Sequence, residues 1–365
     1  LEKKRKTRIA LLFGGRSAEH EVSMISAAAV YRNIDRRKYD VASIFIDKQG
    51  GWQQVESPLL PERELNRGPF CSFLSWDRKC RGGPSRAAVP PKIAADIYFP
   101  VLHGPYGEDG TVQGLFEMAD VAYVGAGVLA SAAGMDKVIM KALFAMNRLP
   151  VSKYAAFLES EWRRFRSAVP AVIEKEFVLP VFVKPANLGS SVGISKVKTW
   201  SSLARAIGKA FRYDRKILVE QGIIGREIEC SVLGNDSPRA SLPGEVMPHR
   251  EFYDYRDKYL EGKTRFRIPA DLTAETVAEV QRLAVEAFQA VDCSGMARLD
   301  FFLEDATGKI YVNEINTIPG FTEISMYPKL WEASGISFPR LIEELIRLGL
   351  ERHRRKKRCL ERLAR

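Results

Sequence analysis

Met296-Ala-Arg298-Leu-Asp300-Phe-Phe-Leu-Glu-Asp-Ala-Thr-Gly308-Lys-Ile310-Tyr-Val-Asn-Glu314-Ile-Asn316 is the most informative stretch of the chain. It reads as two strands, Met296–Leu303 and Ile310–Asn316, joined by the hairpin turn signal Asp305-Ala-Thr-Gly308. Side chains alternate faces along a strand, so Arg298 and Asp300 share one face, and Glu314 and Asn316 share one face. Leu299, Phe301, Phe302 and Ile315 put both strands in a core, where a carboxylate without a partner is costly. Two carboxylates and an amide are all oxygen donors. Such a set suits Mg²⁺, which takes few protein ligands and keeps positions for phosphate oxygens. The alternative is an Arg–carboxylate ion pair that holds the sheet together. The hairpin alone leaves both readings open.

Working outward, Lys184-Pro-Ala-Asn-Leu-Gly189-Ser190-Ser191-Val-Gly193 lies between two strands. Its small residues let backbone N–H groups approach an anion, and its hydroxyls add donors. It lacks the Walker pattern and reads either as a plain hairpin turn or as a phosphate flap. Phe13-Gly-Gly-Arg-Ser-Ala-Glu19-His-Glu-Val-Ser23 is a strand, a double-glycine turn and a helix start. Such a turn, at the carboxyl end of a parallel strand, is where α/β sheets bind ligands. Glu19 there is either a partner of the helix dipole or a ligand for an amino group. Leu102-His103-Gly-Pro-Tyr-Gly-Glu-Asp-Gly110 is a tight loop in the same kind of place. Tyr253-Asp-Tyr-Arg-Asp-Lys258-Tyr259 is either a solvated loop or a lid that excludes water.

The segments around these motifs divide the chain. Residues 1–134 alternate strand and helix signals (Arg8–Phe13, Ser23–Asn33, Val41–Ile46, Ile97–Leu102, a helix from Thr111), which predicts a parallel sheet covered on both faces. Ser57–Pro91 reads as a polar surface excursion. Residues 135–226 form a smaller α+β unit with strands at Val151–Phe157, Val181–Lys184, Val192–Val197 and Lys216–Glu220, and a helix capped by Thr199. Residues 227–350 hold strands at Ile228–Leu233 and Ala240–Val246, a helix from Thr273, and the hairpin. Residues 351–365 read as a basic tail.

Over 365 residues, the composition of 46% hydrophobic and 28% charged is that of a globular chain of two or three domains. The net charge of +11 points to nucleic acid until it is located: residues 1–8 contribute +4 and residues 351–365 contribute +6, leaving +1 between them. The basic residues therefore read as solvated termini rather than a nucleic-acid or membrane-binding face. Five scattered cysteines and four histidines without ligand spacing argue against a disulfide framework or a zinc site. With no apolar run long enough to span a bilayer, a soluble cytoplasmic protein is expected.

In order, these motifs, with Ala297-Arg-Leu-Asp300 and Asn313-Glu-Ile-Asn-Thr-Ile-Pro-Gly320, closely resemble the D-alanine–D-alanine ligase family of ATP-grasp enzymes from about Arg8 to Leu350. The resemblance implies a three-domain ATP-grasp fold, mixing α/β and α+β units, with ATP between the second and third domains. By motif, Lys137 and Lys184 would meet ATP phosphates, with Ser191 in the flap; Glu220, Gln221 and Ile223 match the adenine-contacting strand, and Glu227 the ribose ligand. Asp300, Glu314 and Asn316 match the ligands of two Mg²⁺ ions, for which Mn²⁺ would substitute. Glu19 and His103 match the pocket for the first D-alanine, Ser190 and Tyr259 match partners of Glu19, and Lys258 and Ser325 match groups near the second D-alanine. Arg298 and the Gly320 N–H match the oxyanion site. The implied reaction is phosphorylation of one D-alanine to an acyl phosphate and attack by the amine of another, for peptidoglycan synthesis, in a homodimer. Two departures stand out: Gln221 replaces a Lys common in the family, and the basic tail lies outside its pattern. The Tyr-bearing lid resembles dipeptide-forming members rather than those making D-alanyl-D-lactate. A relative using D-lactate or D-serine, and a catalytically silent nucleotide binder, are the rival readings.

Overall fold

The apolar run after Thr7 becomes the centre of the first sheet. The structure, a computed structural model, describes residues 5–60, 62–65, 71–72, 94–189, 191–247 and 264–363. In chain order the first segment holds β1 (Thr7–Gly14), α1 (His20–Asn33), β2 (Tyr39–Ile46), β3 (Gly51–Val55), α2 (Glu62–Leu65), β4 (Cys71–Ser72), β5 (Ile97–Pro100), α3 (Thr111–Met118) and α4 (Val128–Met135). The sheet order is β4-β3-β2-β1-β5. β1 pairs in parallel with β2 and β5, as the alternation predicts, but β3 and β4 add an antiparallel edge. The reason is connection length. Only four residues, closed by the Gly50 N–H to Asp47 carbonyl bond (3.1 Å), separate β2 from β3, and a parallel crossover needs a dozen or more. The expected excursion at Ser57–Pro91 falls largely outside the described residues.

The second segment runs α5 (Lys137–Met146), β6 (Tyr154–Leu158), α6 (Glu159–Arg164), α7 (Ala168–Glu176), β7 (Val181–Pro185), β8 (Ser195–Val197), α8 (Leu203–Ala210) and β9 (Lys216–Gln221). Its antiparallel sheet, β6-β9-β7-β8, closes over its own core of Ile173, Val181, Val183, Leu203, Ile207 and Val219. Thr199 does not cap α8 as expected: a short 3₁₀ turn, Trp200–Ser202, intervenes, and Thr199 makes no side-chain cap.

The third segment contains β10 (Gly225–Gly234), β11 (Arg239–Ala240), β12 (Gly244–Met247), β13 (Arg265–Arg267), α9 (Ala274–Ala290), β14 (Gly295–Glu304), β15 (Ile310–Asn316), α10 (Met326–Ala333) and α11 (Phe338–Leu363). The sheet order is β13-β12-β10-β14-β15, with β11 also on β10. The single strand expected at Ala240–Val246 is two, because Pro243 has no N–H to give and the Leu242 N–H turns to Ser334 Oγ (2.8 Å). Thr273 does cap α9, its hydroxyl accepting from the Thr276 N–H (3.2 Å). The β14–β15 hairpin forms as read.

The charge run expected as a solvated C-terminal tail is instead the continuation of the 26-residue α11. Leu341, Leu345 and Leu348 follow helical spacing into the core, and Arg352 extends that face. Half-buried, it donates to Ser294 Oγ (2.7 Å), the Tyr123 carbonyl (3.1 Å) and the Gly125 carbonyl, and lies over the Tyr123 ring at 4.2 Å. Arg355 and Lys356 pair with Asp236 and Glu117. At the other terminus Arg5 reaches Asp96 (2.6 Å). No helix among the described residues is long and apolar enough to cross a membrane.

One core joins the first and third segments: Leu11, Phe13 and Phe99 of the first sheet pack with Phe321, Tyr327 and Leu345. This shared core fixes the carboxyl ends of β1 and β5 beside the loop after β15. Leu345→Ala should cost about 2–5 kcal/mol of stability, seen as a lower thermal midpoint. An unchanged midpoint would show that the two segments do not depend on one core.

Candidate active site

At the carboxyl ends of β1 and β5, two loops and the segment after β15 enclose a cavity of about 500 Å³, with Glu19, His103, Lys137, Arg298, Gly320 and Ser325 in its walls. Glu19 precedes α1 and its N–H is held by Ser17 Oγ (3.1 Å). Its carboxylate fits because position 104 is glycine: a Cβ there would lie 2.8 Å from Glu19 Oε2, and φ is +73°. The flap turn approaches from the opposite side, a Cβ on Gly189 falling 3.5 Å from the same oxygen. His103 is buried, its Nδ1 donating to the Ile318 carbonyl (3.0 Å) and its Nε2 3.1 Å from Ser26 Oγ. Burial works against its imidazolium, but Glu108, 3.6 Å away, more than offsets this and raises its pKa. Burial raises the Glu108 carboxyl as well. Ser325 begins α10, its Oγ accepting from the Thr322 N–H (3.0 Å).

The hairpin forms the floor. Asp300 stands opposite Glu314 and Arg298 opposite Asn316, so the four polar side chains come together as the alternation predicts. Arg298 grips Asp300 with a fork (Nε to Oδ1 2.6 Å, Nη2 to Oδ2 2.7 Å), and Nε also lies 3.0 Å from Glu229 Oε2. Burial opposes the guanidinium's charge, yet these carboxylates hold its pKa well above the usual arginine value. Thus the ion-pair reading of the hairpin is realised in this state. A cation also fits the donor chemistry: Glu314 and Asp300 present oxygens in one place, and Asn316 adds an amide. Among the described residues no group of three or more His, Cys, Asp and Glu could alone hold a metal ion, so the amide and ligand oxygens would have to complete the set.

A second cavity of about 300 Å³ adjoins the first along the hairpin, lined by Lys184, Ser191, Glu220, Gln221, Ile223, Glu227, Asp300 and Glu314. Glu229 and Glu314 line both cavities. Here Glu220 is flanked by two lysines: Lys184 Nζ is 2.5 Å from Oε2 and Lys141 Nζ is 2.6 Å from Oε1. Burial would raise the Glu220 carboxyl, but the two ammonium groups outweigh it and hold it far below the carboxylate range. Burial lowers Lys141 and Lys137. Lys137 opens α5, capped by Asp136, and donates to the Leu188 carbonyl of the flap turn (2.6 Å). The Gln221 side chain is occupied by backbone, donating to the Val178 carbonyl (2.7 Å) and accepting from its N–H (3.0 Å), so a ligand would meet this residue's main chain.

Fifteen of the eighteen expected site residues line one or both cavities. The remaining three, Ser190, Lys258 and Tyr259, lie outside the described residues. Three residues that sequence reading did not single out join the site. Lys141 was findable, since its i,i+4 relation to Lys137 puts both on one helix face. Glu229 meets Asp300 only through the β10–β14 register, and Glu108 meets His103 only through the fold of their loop.

The sign of the Glu220 shift gives a pH dependence. A carboxylate whose pKa is depressed on folding stabilises the protein above its unfolded value, and this is lost as pH falls through the folded value. Thermal unfolding of wild type and Glu220→Gln should therefore differ most near neutrality and converge as pH drops below about 4.3. A gap that widens on acidification would contradict the ionised assignment.

Residues 8–126 match the family described as D-ala D-ala ligase N-terminus, and residues 143–347 that described as D-ala D-ala ligase C-terminus. The chain is 50% identical over 364 residues to the D-alanine–D-alanine ligase of Heliobacterium modesticaldum, covering 99% of each. To that of Bacillus cytotoxicus it is 48% identical over 356 residues, covering 97% of this chain and 98% of the relative. The solved D-alanine-D-alanine ligase from Coxiella burnetii matches with a TM-score of 0.84 at 38% identity, over 98% of this chain and 99% of that one. The VanG D-Ala:D-Ser ligase from Enterococcus faecalis matches at 0.82 and 36% identity, over 94% and 100%. Matched in both halves and along nearly the whole length of these relatives, the chain belongs to the D-alanine–D-alanine ligase family and has its ATP-grasp fold.

Proposed function

We propose that this enzyme joins two D-alanine molecules into D-alanyl-D-alanine with consumption of ATP and release of ADP and phosphate, supplying a peptidoglycan precursor. The observation that carries the reading is the pair of cavities meeting at one wall, with Glu229 and Glu314 common to both and Arg298 beside them. A phosphoryl group passing from a nucleotide to a carboxylate needs two pockets that touch at a cationic point, and this arrangement supplies them.

In this reading Lys137, Lys184 and Ser191 receive the phosphates, Glu220, Gln221 and Ile223 the adenine, and Glu227 the ribose. Glu19 takes the ammonium of the first D-alanine as an opposite charge, with His103 and Glu108 behind it. Ser190 and Tyr259 would tie flap and lid to Glu19, while Lys258 and Ser325 would hold the second D-alanine. Its amine attacks the activated carbonyl, and the oxyanion that forms is met by Arg298 and the Gly320 N–H. Asp300, Glu314 and Asn316 would hold Mg²⁺, with Mn²⁺ as a substitute; bound there, it would neutralise phosphate oxygens. The domains are proposed as residues 1–134, 135–226 and 227–350, with 351–365 as a basic extension. A cytoplasmic homodimer that needs neither nucleic acid nor membrane completes the reading.

Phosphate release with ATP and Mg²⁺ should depend on D-alanine and not on L-alanine. It should be lost in Arg298→Ala and Glu314→Ala. Equal release without D-alanine would remove the ligase reading, and product analysis with D-serine or D-lactate as competitor would expose a different second substrate. Gly104→Ala should displace the Glu19 carboxylate and raise KM for D-alanine by about 10- to 100-fold, with little change in KM for ATP. A change confined to ATP would mean that Glu19 serves the nucleotide.

A further inference from the structure

Lys141 is 1% exposed and lines neither cavity, yet its ammonium touches the nucleotide pocket's own carboxylate. Its neighbours are Glu220 Oε1 at 2.6 Å and Ser152 Oγ at 3.3 Å, and the Ser152 hydroxyl donates to the same Oε1. Glu220 Oε2 faces the other way. It pairs in charge with Lys184 at 2.5 Å but accepts no aligned hydrogen bond among the described residues. Two ammonium groups thus share one buried carboxylate, one from behind and one from the cavity side.

We propose that Lys141 is a positioning residue for ATP: it is the fixed counter-ion of Glu220, and by holding that carboxylate it frees Lys184 to turn to the nucleotide's phosphates. The inference rests on the reading of the second cavity as the ATP site. A single Lys184–Glu220 pair would be self-satisfied, and moving Lys184 to a phosphate would strand a buried carboxylate, a costly rearrangement. With Lys141 in place the Glu220 charge stays matched after Lys184 leaves, and Oε2 becomes available to an N–H donor such as an exocyclic amine. Of the two ammonium groups, that of Lys184 is the one on the cavity side, where an anionic ligand can reach it. Lys141 itself has no route to the ligand, since no wall of either cavity includes it.

The test is steady-state kinetics of the full chain with Mg²⁺, varying ATP at saturating D-alanine, for wild type, Lys141→Met, Glu220→Gln and the double variant. Lys141→Met leaves Glu220 to capture Lys184, so KM for ATP should rise about 10- to 100-fold while kcat falls less than about threefold. KM for D-alanine should not move. In the double variant the capturing charge is gone, and KM for ATP should return to that of Glu220→Gln alone. A residue that merely supports the fold would not give this rescue. An unchanged KM for ATP in Lys141→Met, or effects that simply add in the double variant, would overturn the proposal. Should Lys141→Met fail to fold, Lys141→Gln and its Glu220→Gln double give the same comparison. A wild type without D-alanine-dependent ATP turnover would instead sink the functional reading itself.

Discussion

The register between β14 and β15 is the constraint on which the site depends. It sets Asp300 against Glu314 and Arg298 against Asn316. Like charges directly opposite in a ladder are unfavourable, and nothing in an apolar hairpin would place them there for stability alone. Leu299 and Ile315, paired with each other and buried, anchor the opposite face. A slip of one residue would turn the carboxylates into the core and the leucine and isoleucine into the cavities. The apolar face thus pins the register, and the register forces two carboxylates together. Arg298 offsets part of that charge by its fork on Asp300 and its contact with Glu229.

Charged groups of both signs also meet in the second cavity, where Lys184 and Glu220 lie with Asp300 and Glu314. Around Glu220 two lysines meet one carboxylate, Lys141 from behind and Lys184 from the side of the second cavity. Around Asp300 and Glu229 the guanidinium of Arg298 is the shared cation, and Glu314 acts on Lys137 and Lys184. A ligand carrying phosphates together with a divalent cation would meet lysines and carboxylates in the same cavity.

Much of this was legible because it depends on local pattern. Strand alternation with a turn between gave the hairpin, and a threonine before an amphipathic run gave the cap of α9. What was not legible depends on distant partners. Arg352 reads as one more solvated charge until the Tyr123 and Gly125 carbonyls, far earlier in the chain, are brought to it. Glu229 reads as an ordinary strand residue until β14 lies alongside. The antiparallel edge of the first sheet was masked by the βα alternation around it, although the short link between β2 and β3 carried the signal. Family motifs pointed to fifteen residues that line the two cavities, but not to Lys141, which lies behind Glu220.

Packing then decides how the two cavities are held. The first and third segments share a core, so Glu19, His103, Arg298 and Gly320 sit on one continuous body. The sheet β6-β9-β7-β8 has its own core, separate from that one, and it carries Lys184, Ser191 and Glu220. The second cavity is therefore bounded by separately packed units on its two sides, whereas the first lies mostly within one. The two units are tied by α5, which packs Met140 and Phe144 into the core of the third segment and gives Lys141 to Glu220. The first cavity is accordingly built mainly on one continuous core, and the second spans two cores joined through α5. Gly189, near enough to Glu19 that a Cβ would touch it, brings the second unit against the first cavity.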